Sequence, residues 1–254
     1  MNKLDPSQSP VHSRLANVRI VLVRTSHPGN IGAAARAMKT MGLTRLVLVA
    51  PEKFPDPVAE ARATGALDLL SSARVCENLE QALAGTQYAV ALSARRRELS
   101  HPVRAARDAA AELVRLSCYG EVALVFGAEE AGLSNADAGL CREFVTIPAN
   151  PEYSSLNLGS AVQVMAYELR LAALEAEATT PPAAGNDREL AQFEDIENLI
   201  RHFEETMVAT GFLDPQLPKR LMPRLRRLFA RTGLEKEEVN ILRGFLRSVN
   251  FPEK

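Results

Sequence analysis

Four apolar runs rich in β-branched residues and leucine, each too short to be a buried helix, constrain this chain more than any other feature. They are Val18–Thr25 (VRIVLVRT), Arg45–Ala50 (RLVLVA), Tyr88–Ala94 (YAVALSA) and Glu121–Ala128 (EVALVFGA). A strand with one wet face alternates apolar and polar residues. These runs barely alternate, so they read as strands buried on both faces. Shorter strands are expected at Arg74–Cys76 and Glu143–Pro148. The intervening segments have helical spacing. Ile31, Ala34, Ala35, Met38 and Met41 share one side of a helix that Gly42 closes. Further helices are expected over Val58–Leu70, interrupted at Gly65, over Leu79–Leu83 and over Pro102–Ser117. Strand and helix in alternation imply an α/β domain with a largely parallel sheet.

The segment after the last strand, IPANPEYSSLNLGSAVQVMAYE (Ile147–Glu168), opens as a loop stiffened by Pro148 and Pro151. Ser154 and Ser155 stand where a helix cap would stand, ahead of a helix from Leu156 to near Ala178. Residues 179–187 (TTPPAAGND) have linker composition, and the remainder of the chain has no strand pattern. Helices are expected at Arg188–Gly211, Lys219–Arg231 and Lys236–Val249. The organisation expected is a flexible leader at 1–17, an α/β domain at 18–178, a linker at 179–187 and a small helical extension at 188–254. The leader has no apolar core and is not a signal peptide. No apolar run approaches the ~18 residues of a membrane span. Three cysteines without a C-x-x-C pair suit a reducing, cytoplasmic setting. A net charge of −1 gives no overall basic field, so any nucleic-acid surface must be local.

Common cofactor fingerprints are missing. No G-x-G-x-x-G follows a strand, and the glycines of Gly127–Gly132 have P-loop spacing but are followed by Leu133-Ser134 instead of Lys-Ser/Thr. There is no G-x-S-x-G elbow and no histidine pair at metal-binding spacing. Three glycine- or proline-rich loops at strand ends remain: HPGNIGAAAR (His27–Arg36), FGAEEAGLS (Phe126–Ser134) and the loop before Leu156. By composition they could assemble a pocket with one cation, one carboxylate and free backbone groups. Taken singly, each reads more readily as ordinary turn chemistry, because such turns are frequent.

Together the three loops have a family signature. N-x-G-x-x-x-R (Asn30–Arg36), L-V-F-G-x-E-x-x-G-L-S (Leu124–Ser134) and I-P-x-x-P-x-x-S-S-L-N-L (Ile147–Leu158) resemble the motif set of the SPOUT RNA 2′-O-methyltransferases. The resemblance spans about residues 18–170. The run RAMKTMGL (Arg36–Leu43) and the tail NILRGFL (Asn240–Leu246) are similar to the bacterial branch acting on tRNA cytidine and uridine riboses. The resemblance implies a deep trefoil knot at the C-terminal end of the α/β domain, a homodimer with each site completed across the interface, and S-adenosylmethionine as methyl donor without a metal. It implies the ribose 2′-hydroxyl of tRNA nucleotide 32 as target. It places donor contacts on Leu92, Ser93, Ala94, Gly127, Ile147, Ser154, Ser155 and Leu156. Arg36 is then the candidate for proton handling or ribose positioning, held in line by Asn30 and Ser155. Glu129 could steady an arginine or simply face solvent.

Positive charge is clustered locally. Arg95–Arg97, Arg104 and Arg107 follow one strand, Arg24 and Lys39 flank the first motif, and Lys219–Arg231 holds six basic residues and no acid. Such clusters suit phosphate contacts, though a solvated helix face looks the same in sequence. Two other functions fit the motifs: a SPOUT methyltransferase for another tRNA site or ribosomal RNA, and a knotted RNA-binding protein without turnover.

Overall fold

The computed structural model describes residues 10–93, 103–178 and 189–249. Contacts divide the chain into two compact units, residues 1–185 and 186–254. In the first, α1 (Pro10–Ala16) precedes β1 (Val18–Val23), α2 (Pro28–Met41), β2 (Arg45–Val49), α3 (Pro57–Ala63), α4 (Leu67–Ser71), β3 (Arg74–Cys76) and α5 (Leu79–Leu83). Then come β4 (Thr86–Leu92), β5 (Val103–Ala105), α6 (Ala106–Leu116), β6 (Glu121–Phe126), α7 (Asn135–Gly139), β7 (Glu143–Thr146) and α8 (Leu158–Ala178).

The strands form one seven-stranded sheet in the order β3-β2-β1-β6-β4-β7-β5, with every pairing parallel. All six residues of β1 are buried, Arg19 included, as its near-continuous apolar run predicts. Each such Val, Ile or Leu contributes about 1.5–3 kcal/mol on leaving water. The two strands latest in the chain sit between earlier ones, β6 between β1 and β4, and β7 between β4 and β5. Because all strands run the same way, the loops that follow β1, β4, β6 and β7 open on one edge of the sheet, where α/β proteins hold ligands.

Close helix packing explains two glycines. A Cβ on Gly32 would lie 2.1 Å from the Ala59 carbonyl oxygen, and one on Gly159 would lie 2.7 Å from the Ala33 Cβ. Gly32 therefore lets α2 approach α3 closely. Gly42 closes α2 in the left-handed conformation, as expected.

Several expectations need correction. Pro10–Ala16, assigned to the leader, is helical because Val11 and Leu15 are buried. The start of the expected Pro102–Ser117 helix contains strand β5, whose residues pair with β7. The fixing contact is the Glu143 carboxylate, almost fully buried, which accepts from Arg104 Nε at 2.8 Å and from the Tyr88 hydroxyl at 2.5 Å. The cap of α8 is Asn157, not Ser154 or Ser155: its Oδ1 accepts the Gly159 N–H at 2.9 Å.

The second unit consists of α9 (Phe193–Ala209), α10 (Leu221–Thr232) and α11 (Lys236–Ser248). They enclose a core of Leu199, Ile200, Phe229, Val239 and Leu246, with the Phe203 and Phe229 rings 5.4 Å apart. Gly233 ends α10 in the left-handed region. Among the described residues, no helix is long and apolar enough to cross a membrane.

Candidate active site

At the edge where the strands end, three loops line one cleft of about 910 Å³, open mouth included. Leu92 and Ser93 come from the end of β4, and Gly127–Leu133 from the loop after β6. Ile147 and Ser154–Leu156 come from the loop between β7 and α8. The strands β6, β4 and β7 are neighbours, which is why loops far apart in sequence meet.

The turn after β6 has no room for larger residues. A Cβ on Gly127 would sit 2.3 Å from the Gly132 and Leu133 backbone, and Gly132 has φ +67. The Gly132 N–H donates to the Ala128 carbonyl at 2.8 Å, folding Glu129 and Glu130 back over the strand end.

Among the described residues no arginine pairs with Glu129, and the carboxylate does not simply face solvent. It accepts the Ser26 N–H and hydroxyl at 3.1 Å each, the His27 N–H at 3.4 Å and Asn30 Nδ2 at 2.7 Å. Helix α2 begins at Pro28 with no side-chain cap of its own, so this carboxylate caps it from another loop. Partial burial pushes the Glu129 pKa up. The bonds from Asn30 and Ser26 outweigh it, and the net position is below the usual carboxylate value.

The chain of bonds continues to α8. Asn30 Oδ1 accepts Asn157 Nδ2 at 3.0 Å, and Asn157 Oδ1 accepts the Gly159 N–H. Both ends fix its direction. The ionised carboxylate only accepts, so Asn30 must turn its amide NH₂ toward Glu129, and the Gly159 N–H only donates. Asn30 and Asn157 thereby join the starts of α2 and α8 to the β6 loop.

Of the residues expected at the site, Leu92, Ser93, Gly127, Ile147, Ser154, Ser155 and Leu156 line the cleft. Ala94 lies outside the described residues. Asn30 reaches the cleft through Glu129. Arg36 does not line the cleft. It is exposed on α2, and no ion pair or side-chain hydrogen bond engages it among the described residues. Asn157, inside the Ile147–Leu158 motif, and Ser26, directly before the His27–Arg36 loop, belong to the site without having been expected there. The same holds for the apolar walls Phe126, Leu133 and Leu158. Among the described residues, no group of three or more His, Cys, Asp or Glu side chains is placed to hold a metal ion.

Five residues of the expected basic clusters already hold carboxylates: Arg24 with Asp137, Lys39 with Asp68, Arg104 with Glu143, Arg107 with Glu168 and Arg226 with Glu197. Arg95–Arg97 lie outside the described residues. Lys219, Arg220 and Arg224 are exposed, and no ion pair engages them among the described residues.

Residues 17–167 match the SpoU rRNA Methylase family, and residues 194–254 match the family described as tRNA methyltransferase TrmJ, C-terminal domain. The chain is 48% identical over 239 residues to the tRNA (cytidine/uridine/adenosine-2′-O-)-methyltransferase TrmJ of Pseudomonas aeruginosa, covering 91% of this chain and 93% of that protein. It is 46% identical over 240 residues to the tRNA (cytidine/uridine-2′-O-)-methyltransferase TrmJ of Escherichia coli, covering 94% and 98%. The crystal structure of TrmJ from Z. mobilis superposes with a TM-score of 0.79 at 36% identity, over 91% of this chain and 97% of that one.

Proposed function

This chain belongs to the SpoU rRNA methylase family, and from that premise we propose that it transfers a methyl group from S-adenosylmethionine to a ribose 2′-hydroxyl of tRNA. The target in this reading is the cytidine or uridine at position 32 of the anticodon loop. The observation that carries the reading is the single cleft lined by loops from three strand ends, coupled to Asn30 through Glu129. Similarity to tRNA 2′-O-methyltransferases over more than nine-tenths of the chain supports tRNA as substrate. A cytoplasmic enzyme follows from a tRNA substrate.

The lining suits the donor. Leu92, Phe126, Leu133 and Leu156 offer apolar walls for a purine, Ser93, Ser154 and Ser155 offer hydroxyls, and Glu129 and Glu130 offer negative charge for a cationic donor. When bound, the donor supplies an electrophilic methyl whose sulfonium already activates the leaving group, so the transfer calls for no metal. The chain's own task is alignment and proton handling. A ribose hydroxyl is a weak nucleophile and must shed its proton during transfer. Much of the rate then comes from aiming it at the methyl group. In this reading Ser155 contacts the reacting ribose, and Arg36 positions it and accommodates the proton. A free guanidinium is a poor base, so Arg36 needs a neighbouring phosphate or carboxylate for that role.

Arg36 is exposed and does not line the cleft of its own chain, which supports a homodimer in which each protomer's Arg36 serves the partner's cleft. Tyr153 and Leu156 stand exposed beside the cleft, as an interface would leave them in a single protomer. Insertion of β6 and β7 between earlier strands supports the proposed trefoil knot, formed as the chain threads from β7 into α8.

The test is to incubate the purified protein with unmodified tRNA and labelled S-adenosylmethionine and then map the modified ribose. Label on the 2′-oxygen of nucleotide 32 is expected. Label at another nucleotide, or on ribosomal RNA alone, would overturn the position. Failure to bind S-adenosylmethionine by calorimetry, with tRNA present and absent, would favour a knotted RNA-binding protein without turnover.

A further inference from the structure

The loop between α9 and α10 holds an unusual surface. Leu213 is buried and its N–H donates to the Met207 carbonyl at 2.9 Å, which fixes the loop. The adjacent Phe212 is 72% exposed, and Leu217 is 67% exposed. Both line a groove with Lys219, Arg220 and Arg224. The one carboxylate in that groove, Asp214, has an oxygen occupied by the Gln216 N–H at 2.8 Å. An aromatic ring held out by a fixed loop, beside three cations that no ion pair engages among the described residues, has few uses within this unit. An exposed apolar surface of this kind marks a recognition site.

We propose that this groove binds one unpaired nucleotide of the RNA substrate, its base stacked on Phe212 against Leu217 and its phosphates met by Lys219, Arg220 and Arg224. The proposal rests on the reading that the chain acts on tRNA. It adds where and in what form the RNA is gripped outside the cleft. Charge complementarity selects a polyanion. The ring then selects single strands over duplex, because a paired base hides its face in the stack while a loop base can be splayed onto an aromatic. Stacking is indifferent to base identity, so the contact secures loop RNA without reading sequence. The groove also relocates the tail's RNA contacts. Arg226 is tied to Glu197 on α9, so its substitution disturbs the helix packing, whereas Lys219, Arg220 and Arg224 are open to solvent.

The chain contains no tryptophan, so F212W installs a single fluorophore at the point of contact in the full-length protein. Titration with a seven-nucleotide single-stranded RNA is expected to quench its emission, and a duplex of the same length is expected to leave it unchanged. Alongside, F212A should weaken binding of unmodified tRNA about 10-fold with the slope of log affinity against log salt unaltered. R224A should lower that slope by about one. An unchanged far-ultraviolet circular dichroism spectrum and thermal midpoint show that both variants are folded, the helical unit that carries them included. Equal quenching by duplex, no quenching by either RNA, or an F212A protein that binds tRNA like its parent would each overturn the groove. Methyl transfer by the parent chain is read separately. A failed groove with intact transfer leaves the proposed function standing, and quenching without transfer does the reverse.

Discussion

Two half-buried carboxylates at opposite edges of the parallel sheet, Glu121 and Glu129, are satisfied in opposite ways. Where the strands begin, cations meet anions. Arg19 on β1 is nearly buried, donates from Nε to Glu121 at 2.6 Å, and gives further bonds to the Ala82 and Ala84 carbonyls at 2.9 and 2.6 Å. Arg45 reaches the same Glu121 from β2, and Arg104 reaches Glu143. Where the strands end, Glu129 is held by an amide, a hydroxyl and backbone N–H groups, with no cation paired to it among the described residues. A carboxylate neutralised by arginine adds to cohesion but projects little field. One held by neutral donors stays ionised and keeps its negative potential for a cationic ligand. The pairing at Glu121 serves stability, and the neutral setting of Glu129 serves chemistry.

Substitutions on the two edges should therefore fail differently. The largest effect expected is on turnover alone. R36A should transfer methyl groups about a thousandfold more slowly, while calorimetry finds S-adenosylmethionine affinity within about twofold of the parent, since the role proposed for Arg36 is on the ribose and not on the donor. A proportionate loss of donor affinity would instead put Arg36 in donor binding. Next comes an effect on stability alone. E121A leaves Arg19 buried without its anion, which costs about 3 kcal/mol, read as a midpoint of thermal unfolding lower by about 10 °C.

The smallest effect concerns pH. The Glu129 pKa is lowered in the folded protein, so its contribution is fully present above the ordinary carboxylate pKa of about 4.3 and is lost as pH falls through the lowered value. Stability measured from pH 6 down to pH 3 should show that loss in the parent. E129Q, with no proton to gain, should have a shallower acid limb. An unchanged acid limb would mean that the hydrogen bonds to Ser26 and Asn30 do not depend on the charge.

How much of each edge the sequence disclosed depends on the range of the interactions. The strands were legible because burial on both faces leaves near-continuous apolar runs, as in Val18–Val23, where Arg19 is the one polar residue. Strand β5 was not, because Val103-Arg104-Ala105 has no apolar run of its own and is fixed by β7 and the buried Glu143. At the cleft, the motif residues could be named in advance, yet their connections could not. Nothing local links Glu129 to Asn30, which are 99 residues apart, or Asn30 to Asn157, 127 apart. The serines at 154 and 155 drew attention as caps, although Asn157, directly before the apolar run, is an equally good cap type and does the capping. The six basic residues of 219–231 looked alike in sequence. Only packing against α9 separates Arg226, paired with Glu197, from the open Lys219, Arg220 and Arg224.

The most direct test of the division between the edges is one assay on two variants. E121A and E129A are compared for transfer of labelled methyl groups to unmodified tRNA, at a temperature where circular dichroism shows both folded. The account predicts that E121A works within about twofold of the parent, and that E129A, with the starts of α2 and α8 released, falls about 100-fold. Equal rates for the two variants would contradict it.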